Sequence, residues 1–322
     1  MDREAVERKI VASAQAISSA CPNMIIQSSI WYVRHAPWPY GKRYLASGAS
    51  MNLHAKPQSF VATTQFGCEM SGSTEDLIQR FIYVFGVWEP QLTGWIEQRL
   101  EPGDTFVDVG ANIGYYSLLA AQCVGPSGHV VAIEASPSIF GMLNDNIRRN
   151  GFAIRVRSIN IAASDRSGTV SVFSGPKSNI GRTTTVPRED LEVEGTISAE
   201  PLRSILAEGE ITSARLIKID VEGLEGPVVR GLLPILPQCR KDLEVIVEVG
   251  GQPAPEGELS SDILGEMRAQ GFYAYEISNS YRAKSYVDAT HTPQERPRRI
   301  VGEIDVRSEV DLIFSHIDAP TL

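Results

Sequence analysis

Cysteine and histidine are scarce in this chain and scattered where they occur. Four cysteines (Cys21, Cys68, Cys123, Cys239) and five histidines (His35, His54, His129, His291, His316) fall in 322 residues. No two cysteines form C-x-x-C, and no histidine stands at ligand spacing from one. The thiols therefore read as reduced, and the pattern argues against a structural zinc site. Basic residues are also short, with 30 Lys and Arg against 39 Asp and Glu and a formal net charge of −9. A nucleic-acid backbone is neutralised by clustered Lys and Arg, so this balance argues against it as the main partner. No apolar run reaches the length of a membrane span, and Met1-Asp2-Arg3-Glu4 is charged rather than signal-like. The expectation is a soluble, cytoplasmic protein large enough for one sizeable domain with an appended segment.

What the chain does carry is a glycine turn between a strand and a helix. Phe106-Val107 enters Asp108-Val-Gly-Ala-Asn-Ile-Gly-Tyr-Tyr-Ser117, and Leu118-Leu-Ala-Ala121 leaves it with helical character. Gly110 and Gly114 permit unusual dihedrals and close approach, and such a turn is expected to bring bare backbone N–H groups against a nucleotide-like ligand. The spacing departs from the dinucleotide fingerprint G-x-G-x-x-G, because an acid stands before the first glycine and Asn112 sits between the two. A carboxylate in the turn repels a pyrophosphate, which disfavours a nicotinamide dehydrogenase, and suits a ligand carrying an amino group. S-adenosylmethionine, with its adenosine, sulfonium and zwitterionic amino acid, is such a ligand. The turn nominates Asp108, Gly110, Asn112, Gly114, Tyr115 and Ser117 as cofactor-binding residues. In the plainer alternative Asp108 caps the helix and the glycines serve packing.

Strands and helices alternate regularly around this turn, which predicts a doubly wound α/β domain. Strands are expected over Thr105–Val109, Val130–Glu134, Ile154–Asn160, Arg215–Asp220 and Leu243–Val249. Helices are expected over Tyr115–Cys123, Ser138–Asn150, Pro201–Ala207, Gly226–Leu233 and Ser260–Gln270. Short β-like runs at Gly168–Phe173 and Arg182–Val186 flank a turn-prone excursion, and Phe272–Ile277 with Glu309–Phe314 reads as a closing antiparallel pair. Three acids then stand at the carboxyl ends of strands, the edge where open α/β sheets bind ligands. Glu134 is placed to accept from both hydroxyls of a ribose, with Ala135 and Ser136 flanking the adenosine and Asn160 and Ala162 bordering the adenine. Asp220 lies over the cleft at the point of methyl transfer. With Glu222 and Glu248 it forms the set of candidate general bases for a hydroxyl or amine acceptor. The same three acids leave a divalent metal open. Each also has an ordinary structural reading as a loop anchor, a helix cap or a surface acid.

These residues resemble the FkbM family of S-adenosylmethionine-dependent methyltransferases. The likeness rests on Glu101-Pro-Gly-Asp-Thr-Phe-Val-Asp-Val-Gly-Ala-Asn-Ile-Gly-Tyr-Tyr-Ser117, Ala162-Ala-Ser-Asp-Arg-Ser-Gly168, Ile217-Lys-Ile-Asp-Val-Glu-Gly-Leu-Glu225 and the Glu248 strand, and covers roughly Trp88 to Val249. It implies a class I, Rossmann-like methyltransferase fold with a mostly parallel seven-stranded sheet. It also implies S-adenosylmethionine as donor, and usually O-methylation of a natural product, glycan or related hydroxyl compound. N-methylation of a peptide or amine and a non-catalytic cofactor-binding module remain as alternatives.

The expected division is a cap over residues 1–87, for substrate or dimerisation, and a methyltransferase domain over 88–322. The partner is a small-molecule acceptor, and a homo-oligomer is possible. An amphipathic helix is expected over Asp2–Ala20; the irregular pattern over Cys21–Gly72 reads as helices and short strands, with a possible strand over Phe60–Thr63; further helices are expected over Thr74–Gly86 and Gln91–Arg99. Trp31, Tyr32, Trp38 and Tyr40 read first as packing residues and second as an acceptor wall. Arg282, Lys284, His291, Arg296, Arg298 and Arg299 form a basic segment, read either as an anion-recognising lid or as a solvated loop pairing with the protein's own acids.

Overall fold

The computed structural model describes residues 22–250, 260–289, 295–302 and 310–322. The helix expected over Asp2–Ala20 and the residue His291 lie outside them. The chain divides into two compact units.

The first unit holds described residues 22–91, with 177–179 and 280–289. Two helices, α1 (Pro22–His35) and α2 (Lys42–Ala55), lie in the irregular stretch, where helices and short strands were expected without bounds. Their buried stripes are thin, Ile30 and Val33 on α1 and Ala46, Ala49 and Leu53 on α2. Large apolar residues on the opposite faces blur the helical period. A hairpin of β1 (Ser59–Thr63) and β2 (Glu69–Ser73) follows, then α3 (Leu77–Phe85). Asp76 starts α3 by accepting the Gln79 N–H, and Gly86 ends it in the left-handed region. Arg34 reaches the end of that helix and donates to the carbonyls of Ile82, Tyr83 and Val84. Tyr286 of α11 (Ala283–Ala289) packs against Phe81 and Phe85, and Tyr281 stacks on Trp88.

The second unit is the α/β domain. Its strands are β3 (Thr105–Val109), β4 (His129–Glu134), β5 (Val156–Asn160), β9 (Ala214–Ile219), β10 (Glu244–Val249), β11 (Tyr273–Ile277), β12 (Arg298–Arg299) and β13 (Val310–Ser315). They lie in the order β12-β11-β13-β10-β9-β3-β4-β5. The run from β10 through β5 is parallel, and β13 inserts antiparallel between β10 and β11. The sheet is thus the expected seven strands plus a two-residue edge. The expected pairing of the closing strands is present, and β13 also zips onto β10. Val107, Val109, Ile217 and Ile219 are fully buried at the centre, as strands covered on both faces require. Among the helices, α4 (Pro90–Arg99) precedes β3, α5 (Tyr115–Cys123) follows β3, α6 (Pro137–Arg149) follows β4, α7 (Leu202–Ile205) and α8 (Glu208–Ser213) precede β9, α9 (Glu225–Leu232) follows β9, and α10 (Ser260–Ala269) follows β10.

Chain order runs outward from β3 to β5 on one side and resumes with β9 and β10 on the other. The loops after β3 and β9 therefore meet at the topological switch point, the place where open α/β sheets bind their ligands. Two features depart from the sequence reading. A ten-residue strand, β8 (Glu192–Pro201), joins β6 (Ala162–Ser164) and β7 (Gly168–Ser174) in a separate three-stranded sheet. The strand expected over Arg182–Val186 is instead a 3-10 turn at Ile180–Arg182 and one bridge between Phe173 and Thr184.

Candidate active site

The N–H groups of the glycine turn after β3 find their partners at the end of β4 and within the turn. Gly110 and Ala111 N–H both donate to Ile133 O, and Gly114 N–H donates to Ala111 O. The Asn112 N–H donates to Glu134 Oε2 at 2.8 Å, and the Ile113 N–H donates to Asn112 Oδ1 at 2.8 Å. The expectation of bare N–H groups is therefore corrected: every N–H from Gly110 to Gly114 is engaged within the protein. Gly110 has φ +83° and Gly114 φ +94°, while Asn112 tolerates φ +49°.

Acids gather around the turn. Asp108 is buried and accepts from Ser117 Oγ at 2.6 Å. Burial pushes its carboxyl up to about 6, against the pull of the Lys218 ammonium and the Ser117 bond. Glu134 grips two backbone N–H groups, Asn112 through Oε2 and Ser136 through Oε1, at 2.8 Å each. Burial still dominates and raises its carboxyl to about 7. Asn160 steadies this strand end by donating to Glu134 O and Ala135 O at 2.8 and 3.0 Å. Ser136 caps α6 through the Ile139 N–H and donates to Glu194 of β8, whose other oxygen accepts the Ser138 N–H. Ala162 is buried in β6 and pairs with Ala199. Tyr115 is buried, with its hydroxyl bonded to Thr93.

Across the switch point stands Lys218, which the sequence reading quoted without assigning a role. In β9 it pairs with Asp108 of β3, so the two side chains share a face. Lys218 is 2% exposed, with Nζ at 2.6 Å from Asp220 Oδ2 and 4.9 Å above the Tyr116 ring. Its signal was a lone cation inside the apolar run Leu216-Ile-Lys-Ile219. Asp220 also hydrogen-bonds Glu248. Burial opposes its ionisation, but Lys218 and the bond from Glu248 outweigh that and hold the carboxyl below its usual range. The structure thus brings Asp220 and Glu248 together.

Glu222 adopts φ +57°, and its carbonyl accepts from Thr184 of the excursion. The Glu222 charge acts with Asp190 to favour the Arg188 cation. Among the described residues no three His, Cys, Asp or Glu side chains converge as a metal site, so the metal reading of Asp220, Glu222 and Glu248 gains no support. Glu225 holds the loop by accepting from Val221 and Gly223, and burial raises its carboxyl to about 7.

Lys284 pairs with Asp288 in one unit, and Arg299 pairs with Asp318 at the sheet edge in the other.

A methyltransferase FkbM domain model matches residues 108–273, more than half of the chain. Over 184 residues the chain is 29% identical to hexuronic acid methyltransferase AglP of Haloferax volcanii, covering 54% of this chain and 71% of that protein. It is likewise 29% identical over 203 residues to 31-O-demethyl-FK506 methyltransferase FkbM of Streptomyces tacrolimicus, with 54% and 74% covered. A shorter match, to the arsenite methyltransferase of Halobacterium salinarum, spans 13% of that protein. Among solved structures, an O-methyltransferase from Thermotoga maritima aligns over 81% of this chain and 78% of its own, at 12% identity and TM-score 0.38. The chain belongs to the FkbM methyltransferase family.

Proposed function

We propose that this protein is an S-adenosylmethionine-dependent O-methyltransferase acting on a hydroxyl of a small-molecule natural product or sugar-containing metabolite. The observation that carries this reading is the Asp220–Glu248 pair, held by a buried lysine beside the glycine turn.

The donor set fits the family's cofactor. Carboxyl oxygens of Asp108, Glu134 and Asp220 are acceptors for hydroxyl and ammonium groups, and a turn whose N–H groups are engaged offers little to a pyrophosphate. Glu134 would hold the ribose hydroxyls and Asp108 the amino group of the methionine end, with Ala135 and Ser136 beside the adenosine. When bound, the cofactor supplies a methyl group on a sulfonium leaving group, so the protein mainly has to align the acceptor with it. Asp220, kept ionised by Lys218, would take the acceptor proton and become a neutral carboxyl, with Glu248 orienting it through their hydrogen bond. The names of the two longer relatives specify a hexuronic acid and 31-O-demethyl-FK506, which supports an oxygen acceptor. The acidic lining also favours an amine, and the atom that carries the methyl group in the product decides between them.

The test is calorimetric titration with S-adenosylhomocysteine, using Glu134→Ala as control and NAD as competitor, followed by labelled-methyl transfer to a panel of hydroxylated acceptors. Binding lost in the variant and unaffected by NAD, with label recovered in a methyl ether, is the expected result. Binding of neither ligand overturns the reading.

A further inference from the structure

Of the four aromatic residues read first as packing residues, Trp31, Trp38 and Tyr40 are exposed. Trp31 is 63% exposed and Trp38 is 59% exposed, and Met24, Tyr40, Tyr44 and Met51 also stand in solvent. They occupy α1, α2 and the short connection between these two mutually packed helices. The connection is stiff: Pro37 and Pro39 flank Trp38, and Tyr32 OH donates to Tyr40 O at 3.0 Å. Trp31 stacks near His35 one turn on, and the Arg43 guanidinium lies 4.4 Å over the Tyr44 ring. Several large apolar side chains left open on one helical hairpin call for a partner.

Charge indicates which. Between Glu7 and Glu69 the chain has no Asp or Glu across 61 residues, although its net charge is −9. The same stretch contains Arg8, Lys9, Arg34, Lys42, Arg43 and Lys56, the last four of them among the described residues. Arg34 is used within the fold on the end of α3 and Lys42 is buried, which leaves Arg43 and Lys56 exposed with the aromatics. Two exposed cations are too few to neutralise a nucleic-acid backbone. A second copy of the same face brings no acid to answer them. Tryptophan, tyrosine and methionine beside Lys and Arg, with no carboxylate to repel phosphate, is the composition that sits at the headgroup level of an anionic bilayer.

We propose that the α1–α2 hairpin is a peripheral docking surface for anionic lipid membranes. Trp31, Trp38, Tyr40 and Tyr44 enter the interface, and Arg43 and Lys56 face the phosphates. No described helix is long and apolar enough to cross a membrane, so the attachment is interfacial and reversible.

The chain carries its own reporter. It has four tryptophans, of which Trp88 and Trp95 are buried at 8% and 5% exposure, so any change of environment on vesicles comes from Trp31 and Trp38. The experiment is vesicle flotation of the full chain together with tryptophan emission, using phosphatidylcholine vesicles with and without phosphatidylglycerol. Flotation and a blue shift with the anionic vesicles, both weakening as salt rises, are expected. Combined Trp31→Ser and Trp38→Ser should lower partitioning by about tenfold or more. Arg43→Gln should lower it about fivefold. Both variants alter exposed side chains, so an unchanged melting temperature is the control for folding. Four results overturn the proposal: no flotation; flotation that neither anionic lipid nor the substitutions change; tryptophan emission already blue and shielded from iodide before vesicles are added; or displacement of the protein from vesicles by an oligonucleotide. None of these depends on whether S-adenosylhomocysteine binds.

Discussion

A Cβ placed on Gly110 would lie 1.7 Å from the carbonyl oxygen of Asp220. The two loops that carry the candidate chemistry are thus in backbone contact, and glycine is the residue whose size and φ of +83° allow it. Gly110→Ala must separate the loops, because a carbonyl cannot yield as a flexible side chain would. Affinity for S-adenosylhomocysteine is expected to fall at least about a hundredfold, with about 2–4 kcal/mol of stability lost. Gly151→Ala is the matched control. It shares a positive φ of +69° but meets nothing within 4 Å, so its cost is about 1 kcal/mol with no effect on binding. Denaturant midpoints and calorimetry on the two variants test this.

Lys218 is the counter-ion of both Asp220 and Asp108. Lys218→Met leaves buried carboxylates without it, and the expected destabilisation is about 3–5 kcal/mol. Asp220 should then titrate higher, so the alkaline-going limb of the pH profile of kcat moves to higher pH. Unchanged stability and an unmoved profile would remove Lys218 from the site.

Glu248→Gln and Asp220→Asn separate proton removal from cofactor binding. The Glu248 variant should lose activity by about a hundredfold or more while its affinity for S-adenosylhomocysteine stays within about threefold. Equal losses in both quantities would make Glu248 a structural support of the cofactor loop instead.

The raised carboxyls give a pH dependence of definite sign. Glu134 titrates at about 7 in the folded protein, and hydrogen bonding to ribose hydroxyls is strongest to its ionised form. Affinity for S-adenosylhomocysteine should therefore strengthen about tenfold from pH 6 to pH 8, and Glu134→Gln should flatten the curve. Stability runs the other way. Glu134 and Glu225 at about 7, and Asp108 at about 6, hold protons more tightly in the folded state than in the unfolded chain. Stability should fall as pH rises from about 4.5 towards 7 and level off above, by at most about 1.4 kcal/mol per pH unit for each group. Asp220, Glu210 and Asp242, held below their usual values, contribute stability that is lost as pH falls below about 4. Urea midpoints across this range test the combined curve.

The α/β core was legible because its strands are buried on both faces and its helices begin at strong signals. Thr105–Val109 and Tyr115–Cys123 match the expected bounds residue for residue, and Ser136-Pro137 marks the start of α6. The strand β8 was hidden because only Ala199 and Pro201 among its residues are buried, so Glu192–Pro201 shows little hydrophobic alternation. The bounds of α1 and α2 were hidden for a related reason: exposed Met24, Trp31 and Met51 compete with the thin buried stripes of Ile30 and Val33 on α1 and of Ala46, Ala49 and Leu53 on α2. The carboxyl-edge acids Asp108, Glu134, Asp220 and Glu248 could be picked out by position at strand ends. What one dimension does not show is pairing across the sheet, and for that reason Lys218 and the spent N–H groups of the turn emerge only from strand register.

Because the turn from Gly110 to Gly114 is closed by Ile133, Glu134 and its own atoms, it is a finished frame before any ligand arrives. A loop that orders on binding loses conformational entropy at that moment, whereas this one has already lost it during folding. Its amide hydrogens should exchange slowly in the free protein and change little on saturation, and product departure would leave the frame standing for the next turnover.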